Sequence, residues 1–348
     1  MISALLFMSS GLFLGWSLGA NDAANLFGTA VGTKMVKFKT AAIVIGVFVI
    51  IGAVVSGIGA SHTLGELGKV TRLPGAFIVA LSAALTVFGM TNLGIPVSTS
   101  QSIVGAIIGW NIFASLNTDL SVLSKIVSTW VLCPILSALF AVIFYKIIQR
   151  LLFKFNIHLL KIDKYTRISL IVVGAFGAYS LGANNIANVM GVFTNSINFP
   201  PLSIGGLFVL SSTQQLFLLG GIAISVGVFT YSKKVMMTVG QSIYKISPIA
   251  ALIVVLSSST VLFLFASESL KIWMTSVGLP SFPLVPVSSS QAVVGAILGI
   301  GLAKGGRNIN LTVLRNIGLG WIVTPITSAL ISYISLFFMQ NVFMMTVY

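Results

Sequence analysis

Seven residues, Gly19-Ala20-Asn21-Asp22-Ala23-Ala24-Asn25, interrupt a stretch that is otherwise apolar from Ile2 to Val31. A carboxylate inside a segment long enough to cross a bilayer costs about 3 kcal/mol or more, so such acids face a cavity and mark a pathway. Asn21 and Asn25 stand four apart and share a helix face. A near copy, Gly182-Ala183-Asn184-Asn185-Ile186-Ala187-Asn188, follows 163 positions later. Carboxylate and amide oxygens are hard ligands, suited to a hard cation such as Na⁺. Asp22, Asn25, Asn185 and Asn188 are therefore the expected sodium ligands. Asn21 and Asn184 could serve the cation or an anion beside it, and are placed with the anion. Polar glue between helices is the competing use of such amides. Five Asn and one Asp in matched places favour a site.

A second duplicated element complements the first. Pro96-Val97-Ser98-Thr99-Ser100-Gln101 returns 190 positions later as Pro286-Val287-Ser288-Ser289-Ser290-Gln291. Proline lacks an N–H and disfavours helix in the residue before it. Serine and threonine are preferred N-caps. Each element reads as a loop turning into a helix N-terminus, whose free N–H groups and dipole end attract an anion. Ser98, Thr99, Ser100, Gln101, Ser288, Ser289, Ser290 and Gln291 would add donors, so that two facing N-termini clasp one small tetrahedral oxyanion. No Lys or Arg lies in the apolar runs beside these elements. The charge of the anion, and that of Asp22, must then be offset by helix dipoles and mobile cations, which predicts cation-coupled symport.

The elements that position these residues must lie in a bilayer. Of the 348 residues 57% are hydrophobic and only 7% charged, with mean hydropathy +1.08. A soluble domain carries roughly 25% charged residues. Apolar runs near 20 residues recur along the chain, as helical spans require, without the alternation of a β-barrel. The fold class expected is an all-α polytopic membrane protein with interrupted helices and re-entrant hairpins. The segment 1–31 reads as a retained span, not a signal peptide. The net charge of +14 sits in short loops, as the positive-inside rule requires, and no nucleic-acid partner is implied. The single cysteine, Cys133, excludes an internal disulfide. His62 and His158 lie in loops, away from the polar elements.

Three elements recur in the same order: both polar motifs, and Trp130, Pro134, Ser137 and Ala138 as Trp321, Pro325, Ser328 and Ala329. The chain thus divides into a first repeat at 1–149, a basic cytoplasmic linker at 150–167 and a second repeat at 168–348, the second longer by about 27 residues between its two polar elements. Four basic clusters, at 34–39, 146–167, 233–245 and 304–315, hold 15 of the 19 Lys and Arg. If each Pro-Val-Ser element is the tip of a hairpin that enters and leaves on one side, all four fall on one face. That face is then cytoplasmic and both termini are extracytoplasmic. The repeats run in opposite directions, as in secondary transporters that bind substrate where inverted repeats meet. The segment 269–283 could instead be an outside loop after a full crossing.

The duplicated Gly-Ala-Asn-Asp-x-Ala-Asn motif, at 19–25 and 182–188, and the paired Pro-Val-Ser-x-Ser elements, at 96–100 and 286–290, resemble those of the inorganic phosphate transporter (PiT) family of sodium- or proton-coupled symporters. The resemblance implies phosphate and coupling ions bound where the motifs meet, in the plasma or inner membrane, and a homodimer. Asn185 departs from it, standing where family members often carry Asp, which leaves Asp22 as the one acid in either motif and turns the expectation toward Na⁺ over H⁺. Phosphate and sulfate are both tetrahedral anions and composition does not separate them, so a sulfate permease of the same build is the alternative. Enzymatic function is disfavoured: one acid lies among the spans, and no His-Glu-x-x-His or phosphate-binding loop occurs.

Overall fold

A computed structural model describes residues 2–93, 97–155, 158–206, 208–242, 247–305 and 311–348. Pro96, Lys245 and Arg307 lie outside the described residues. Among the described residues thirteen α-helices run in the order α1 (Ile2–Gly32), α2 (Phe38–Ser56), α3 (Ile58–Leu67), α4 (Leu73–Asn92), α5 (Thr99–Phe113), α6 (Leu120–Phe155), α7 (Leu159–Met190), α8 (Ser212–Thr230), α9 (Ser232–Ser242), α10 (Pro248–Ala266), α11 (Glu268–Ser276), α12 (Ser289–Ala303) and α13 (Leu311–Asn341). A two-stranded antiparallel hairpin, β1 (Leu202–Ile204) with β2 (Phe208–Leu210), precedes α8. Among the described residues eight helices are long and apolar enough to cross a membrane. The chain is an all-α polytopic membrane protein.

Helices α5 and α12 are each 15 residues long, about 22 Å at 1.5 Å per residue and short of a ~30 Å hydrocarbon core. Each is the return arm of a hairpin. The indole of Trp110, near the end of α5, donates to the carbonyl of Val347 at 2.9 Å, and a Cβ on Gly75, at the start of α4, would fall on that same carbonyl. So α5 comes back to the end from which α4 set out. Ala250 of α10 and Ile300 of α12 belong likewise to one apolar cluster with Ala141 of α6.

The two hairpins enter from opposite ends of the molecule. The first is rooted at the end where the termini meet, Leu6 and Phe7 lying with Phe77, Phe338 and Met345 around one apolar cavity. The second is rooted beside Tyr145, whose ring lies 5.8 Å from the Lys304 ammonium. Lys233 sits 5.9 Å from the ring of Phe38, so the basic clusters draw together in pairs. Helices α1 and α7, which carry the two Asn motifs, cross antiparallel: Gly11 packs against Phe193, and Phe27 against Gly174.

Small residues set the packing, and they do so reciprocally. A Cβ on Gly105 or Gly109 of α5 would strike the carbonyl oxygens of Pro325 or Ala329 in α13; on Gly295 or Gly299 of α12 it would strike those of Pro134 or Ala138 in α6. Gly19 meets the Ile224 carbonyl of α8, and Gly182 meets that of Val49 in α2. Each half of the chain therefore packs glycine faces on the other half, reciprocally and at backbone contact distance.

The extra residues of the second half are two insertions. Gly52 and Gly227 occupy equivalent places against Tyr179 and Trp16; their offset of 175 puts about 12 extra residues before α8, the β-hairpin, and about 15 after α10, which include α11. The hairpin turns at Gly205 and Gly206, with φ of +60° and +72°, a left-handed conformation that glycine adopts without strain. Helix α11 has no buried residue, and the chain after it is tied to α3 by the Thr63 hydroxyl donating to the Leu284 carbonyl at 2.6 Å. Since α3 continues from α2 away from Phe38, this segment lies at the end opposite the basic clusters.

Candidate functional site

The four polar elements converge, and they do so crosswise. Helix α1 carries Asn21, Asp22 and Asn25; α7 carries Asn184, Asn185 and Asn188. The tip before α12 reaches the α1 motif, where the Ser289 hydroxyl donates to Asp22 Oδ2 at 2.7 Å. The tip before α5 reaches the α7 motif, where Asn188 Nδ2 donates to Ser100 Oγ at 2.8 Å. The tips also hold each other, the Val287 carbonyl accepting from Ser100 Oγ at 3.1 Å, and the second tip touches α7 too, the peptide N–H of Val287 donating to Asn184 Oδ1 at 3.1 Å.

Both tips are helix starts built as their sequences require. Ser98 and Ser288 have extended backbone, with φ −112° and −82°, and each hydroxyl accepts the N3 backbone N–H, of Gln101 or Gln291, at 3.3 Å. Capping serines fix where the helix begins and orient its first N–H groups toward the tip. The Cys133 thiol lies 3.6 Å from the Ser288 carbonyl, so α6 backs the second tip. Ser102 secures the first from behind, donating to the Ala83 carbonyl at 3.1 Å.

Asp22 is 1% exposed. Its two carboxylate oxygens are met by Ser289 and by Asn21 Nδ2 at 2.9 Å, both neutral donors. In the matched place, Asn185 satisfies itself within its own helix: Nδ2 donates to the Leu181 carbonyl at 3.3 Å and Oδ1 accepts from Asn188 Nδ2 at 3.0 Å. Thr99, the counterpart of Ser289, has a buried hydroxyl with no partner. The Asp-to-Asn difference therefore breaks the local symmetry at both tips.

Burial is also uneven. Asn184, Asn185 and Asn188 are sealed at 0–1% exposure, whereas Asn21, Asn25 and Ser290 are half-buried. Asn25 shares the helix face of Asn21 but makes no hydrogen bond to a described residue. Ser290 bonds to Ser288 at 3.0 Å. Five buried polar atoms in this small region lack a partner: Thr99 Oγ1, Gln101 Oε1, Asn184 Nδ2, Asn188 Oδ1 and Gln291 Oε1. A buried polar atom left unpaired costs about 1–3 kcal/mol, and a cluster of them marks a place made for something else. No group of three His, Cys, Asp or Glu occurs among the described residues, so the oxygen set is one carboxylate with amides and hydroxyls, which suits a hard monovalent ion.

The polar side chains that converge here are those of the duplicated motifs, with Ser102 and Cys133 behind them, which spacing did not single out, and the Val287 peptide between them. Val287 contributes only backbone, and no residue type announces that. His62 stands apart, paired with Glu66 at 3.3 Å on the surface of α3.

Comparison with known proteins agrees with this architecture. The model of the phosphate transporter family matches residues 18–164 and again 158–332. A Methanocaldococcus jannaschii protein named as a candidate phosphate permease is 29% identical, the alignment spanning 96% of this chain and 97% of that protein. The sulfate permease CysP of Bacillus subtilis is 32% identical over 96% of this chain and 86% of its own length. A solved structure described as the sodium-dependent phosphate transporter superposes with a TM-score of 0.72 at 23% identity, covering 96% of this chain and 99% of that one. These relatives are permeases and transporters, not enzymes. With the family model matched once in each half of the chain, the protein belongs to the phosphate transporter family.

Proposed function

We propose that this chain carries inorganic phosphate into the cell together with Na⁺, by alternating access between inverted repeats at 1–149 and 168–348 that the basic segment 150–167 joins. The observation that carries the proposal is the hydrogen bond from Ser289 to Asp22. It ties the N-terminus meant for the anion directly to the one carboxylate in either motif. Na⁺ held by Asp22, with Asn25, Asn185 and Asn188 supplying neutral oxygens, takes over the charge that Ser289 now offsets. The Ser289 hydroxyl is then available to the anion, alongside Ser98, Thr99, Ser100, Gln101, Ser288, Ser290 and Gln291. Asn21 and Asn184 sit between the two ions. Anion and cation each lower the cost of burying the other, which is the thermodynamic content of coupling. A single carboxylate among groups that do not titrate supports Na⁺ over H⁺.

The positive-inside rule puts the basic end in the cytoplasm and both termini outside, in the plasma or inner membrane. The chain is proposed to form the homodimer that the family resemblance implies, which the mass of the detergent-solubilised protein would test.

The test is labelled phosphate uptake into sealed proteoliposomes under an imposed Na⁺ or proton gradient. Na⁺ inward should drive accumulation and a proton gradient alone should not. Asp22→Asn should insert normally and lose Na⁺-driven uptake; near-normal transport with unchanged Na⁺ dependence refutes the assignment. A second reading, sulfate as the cargo, is favoured by the 32% identity to a sulfate permease. Uptake of labelled sulfate in the same vesicles decides between them.

A further inference from the structure

Three Ser-x-x-Gln sequences start helices in this chain, and they do not behave alike. At Ser211 the motif closes a full capping box: the serine hydroxyl accepts from the Gln214 N–H, and Gln214 Oε1 accepts from the Ser211 N–H at 3.0 Å. That is the ordinary use of glutamine at this position. At Ser98 and Ser288 the serine half of the box forms, but Gln101 and Gln291 do not reach back. Both glutamines are 2% exposed, and both Oε1 atoms are buried without a partner. Two equivalent side chains thus forgo an acceptor role that local geometry offers. The same departure at both hairpin tips points to a ligand rather than to an accident of packing.

We propose that Gln101 Oε1 and Gln291 Oε1 accept hydrogen bonds from the acidic protons of the bound oxyanion, and that they thereby select hydrogen phosphate over sulfate. The inference rests on the anion-transport reading above. Everything else aimed at the anion, namely helix N–H groups and hydroxyls, can donate. Three of these hydroxyls already accept, Ser98 and Ser288 from a peptide N–H and Ser100 from Asn188, so what they offer an anion is a proton, and such donors suit sulfate, which carries none at neutral pH. Inorganic phosphate keeps one or two protons there, and each P–O–H needs an acceptor. Facing sulfate, the two amide oxygens would instead meet bare anionic oxygens, a repulsive pairing of the kind that specificity uses. A site that hydrogen-bonds a substrate proton rejects the analogue lacking it far more strongly than size alone allows.

The test uses labelled phosphate uptake into proteoliposomes with three unlabelled competitors. Arsenate carries the same protons as phosphate. Sulfate carries none, and monofluorophosphate matches hydrogen phosphate in shape and charge but has no P–O–H. On the unaltered protein, arsenate should compete within about threefold of phosphate, while sulfate and monofluorophosphate need ~10- to 100-fold more, the value of one hydrogen bond to a charged group. Gln101→Met and Gln291→Met keep length and remove the acceptor. Because a singly protonated anion can turn its P–O–H to whichever amide remains, the two substitutions combined should weaken phosphate and arsenate by about that factor and leave the other two within about threefold. Equal competition by phosphate and monofluorophosphate on the unaltered protein overturns the proposal, even where the variants fail to fold. So does a uniform loss for all anions in the variants, or a shift confined to Na⁺ dependence. A protein that takes up no phosphate under any gradient refutes the transport reading itself, which is a separate outcome.

Discussion

If Na⁺ is the coupling ion proposed above, Asn185→Asp should tighten its binding. Asn185 is 1% exposed and its Nδ2 donates to the Leu181 carbonyl at 3.3 Å. The substitution removes that donor, at about 1 kcal/mol, and sets a carboxylate oxygen against the carbonyl. It also buries a second negative charge, at about 3 kcal/mol or more at membrane depth. Na⁺ cannot restore the lost hydrogen bond, but it relieves the charge. About 3 kcal/mol of relief corresponds to roughly 100-fold tighter Na⁺ binding. The variant should therefore melt lower than the unaltered protein in Na⁺-free buffer and regain most of the difference on Na⁺ titration. Half-saturating Na⁺ for phosphate uptake should fall in parallel. A proton competes for the same carboxylate, so the tightening should be larger at pH 8 than at pH 6. Half-saturating Na⁺ within about threefold of the unaltered value at both pH values, with no Na⁺-dependent rise in melting temperature, refutes the placement of residue 185 at a cation site.

Gly105→Ala and Gly295→Ala each aim a methyl at a backbone oxygen, of Pro325 and of Pro134, and should destabilise by about 1–3 kcal/mol in thermal unfolding. Gly89→Ala, with nothing within 4 Å of the added carbon, should instead stabilise by roughly 0.5–1 kcal/mol in a helix interior. Ser289→Ala removes the 2.7 Å donor to Asp22 and should cost about 1.5–3 kcal/mol, whereas its counterpart Thr99→Val deletes an unpartnered hydroxyl and should be near neutral in melting temperature. Asp119, at the start of α6, accepts from the Ser121 and Val122 N–H groups at 2.8 and 3.2 Å; its hydrogen bonding to Ser121, ahead of that to Val122, holds its carboxyl below the ordinary 3.8. Its folded value being depressed, the stabilisation is complete above that ordinary value and fades as pH falls through the lower folded one. An Asp119→Ala deficit in melting temperature should accordingly be present at pH 7 and shrink in strong acid.

The residue pattern disclosed much of this molecule before any coordinates. Duplicated motifs suggest two repeats, and the basic clusters predict one end for 34–39, 146–167, 233–245 and 304–315; Lys233 lies beside Phe38 and Lys304 beside Tyr145. What stayed hidden was partner choice. Gly105 announces close packing, but nothing in its spacing says that the surface it meets belongs to Pro325 of the other repeat. Internal similarity reports which segments are equivalent and is silent on which ones touch. The β-hairpin was legible in principle: Gly205-Gly206 between two short apolar runs is a turn signal, masked here because three-residue strands are too brief to show a period. The distinct fates of Ser289 and Thr99 depend on one atom at Asp22 or Asn185, a difference the sequence displays without saying which hydroxyl it governs.

Reciprocal packing of the two halves has a consequence in time. The glycine face of α12 meets Pro134, which has already left the ribosome when Gly295 is made. The matching face of α5 meets Pro325, still 220 positions away when Gly105 is made. At about 5–20 residues per second, that interval is roughly 10 to 45 s. Two interfaces that are equivalent in the finished molecule are therefore unequal during its synthesis. The first hairpin must wait in the bilayer with its close-contact face occupied by lipid or by a chaperone, and the second docks on arrival. A nascent chain stalled before α13 should expose the α5 glycine face to crosslinking, and one stalled before α12 should leave open the α6 backbone around Pro134.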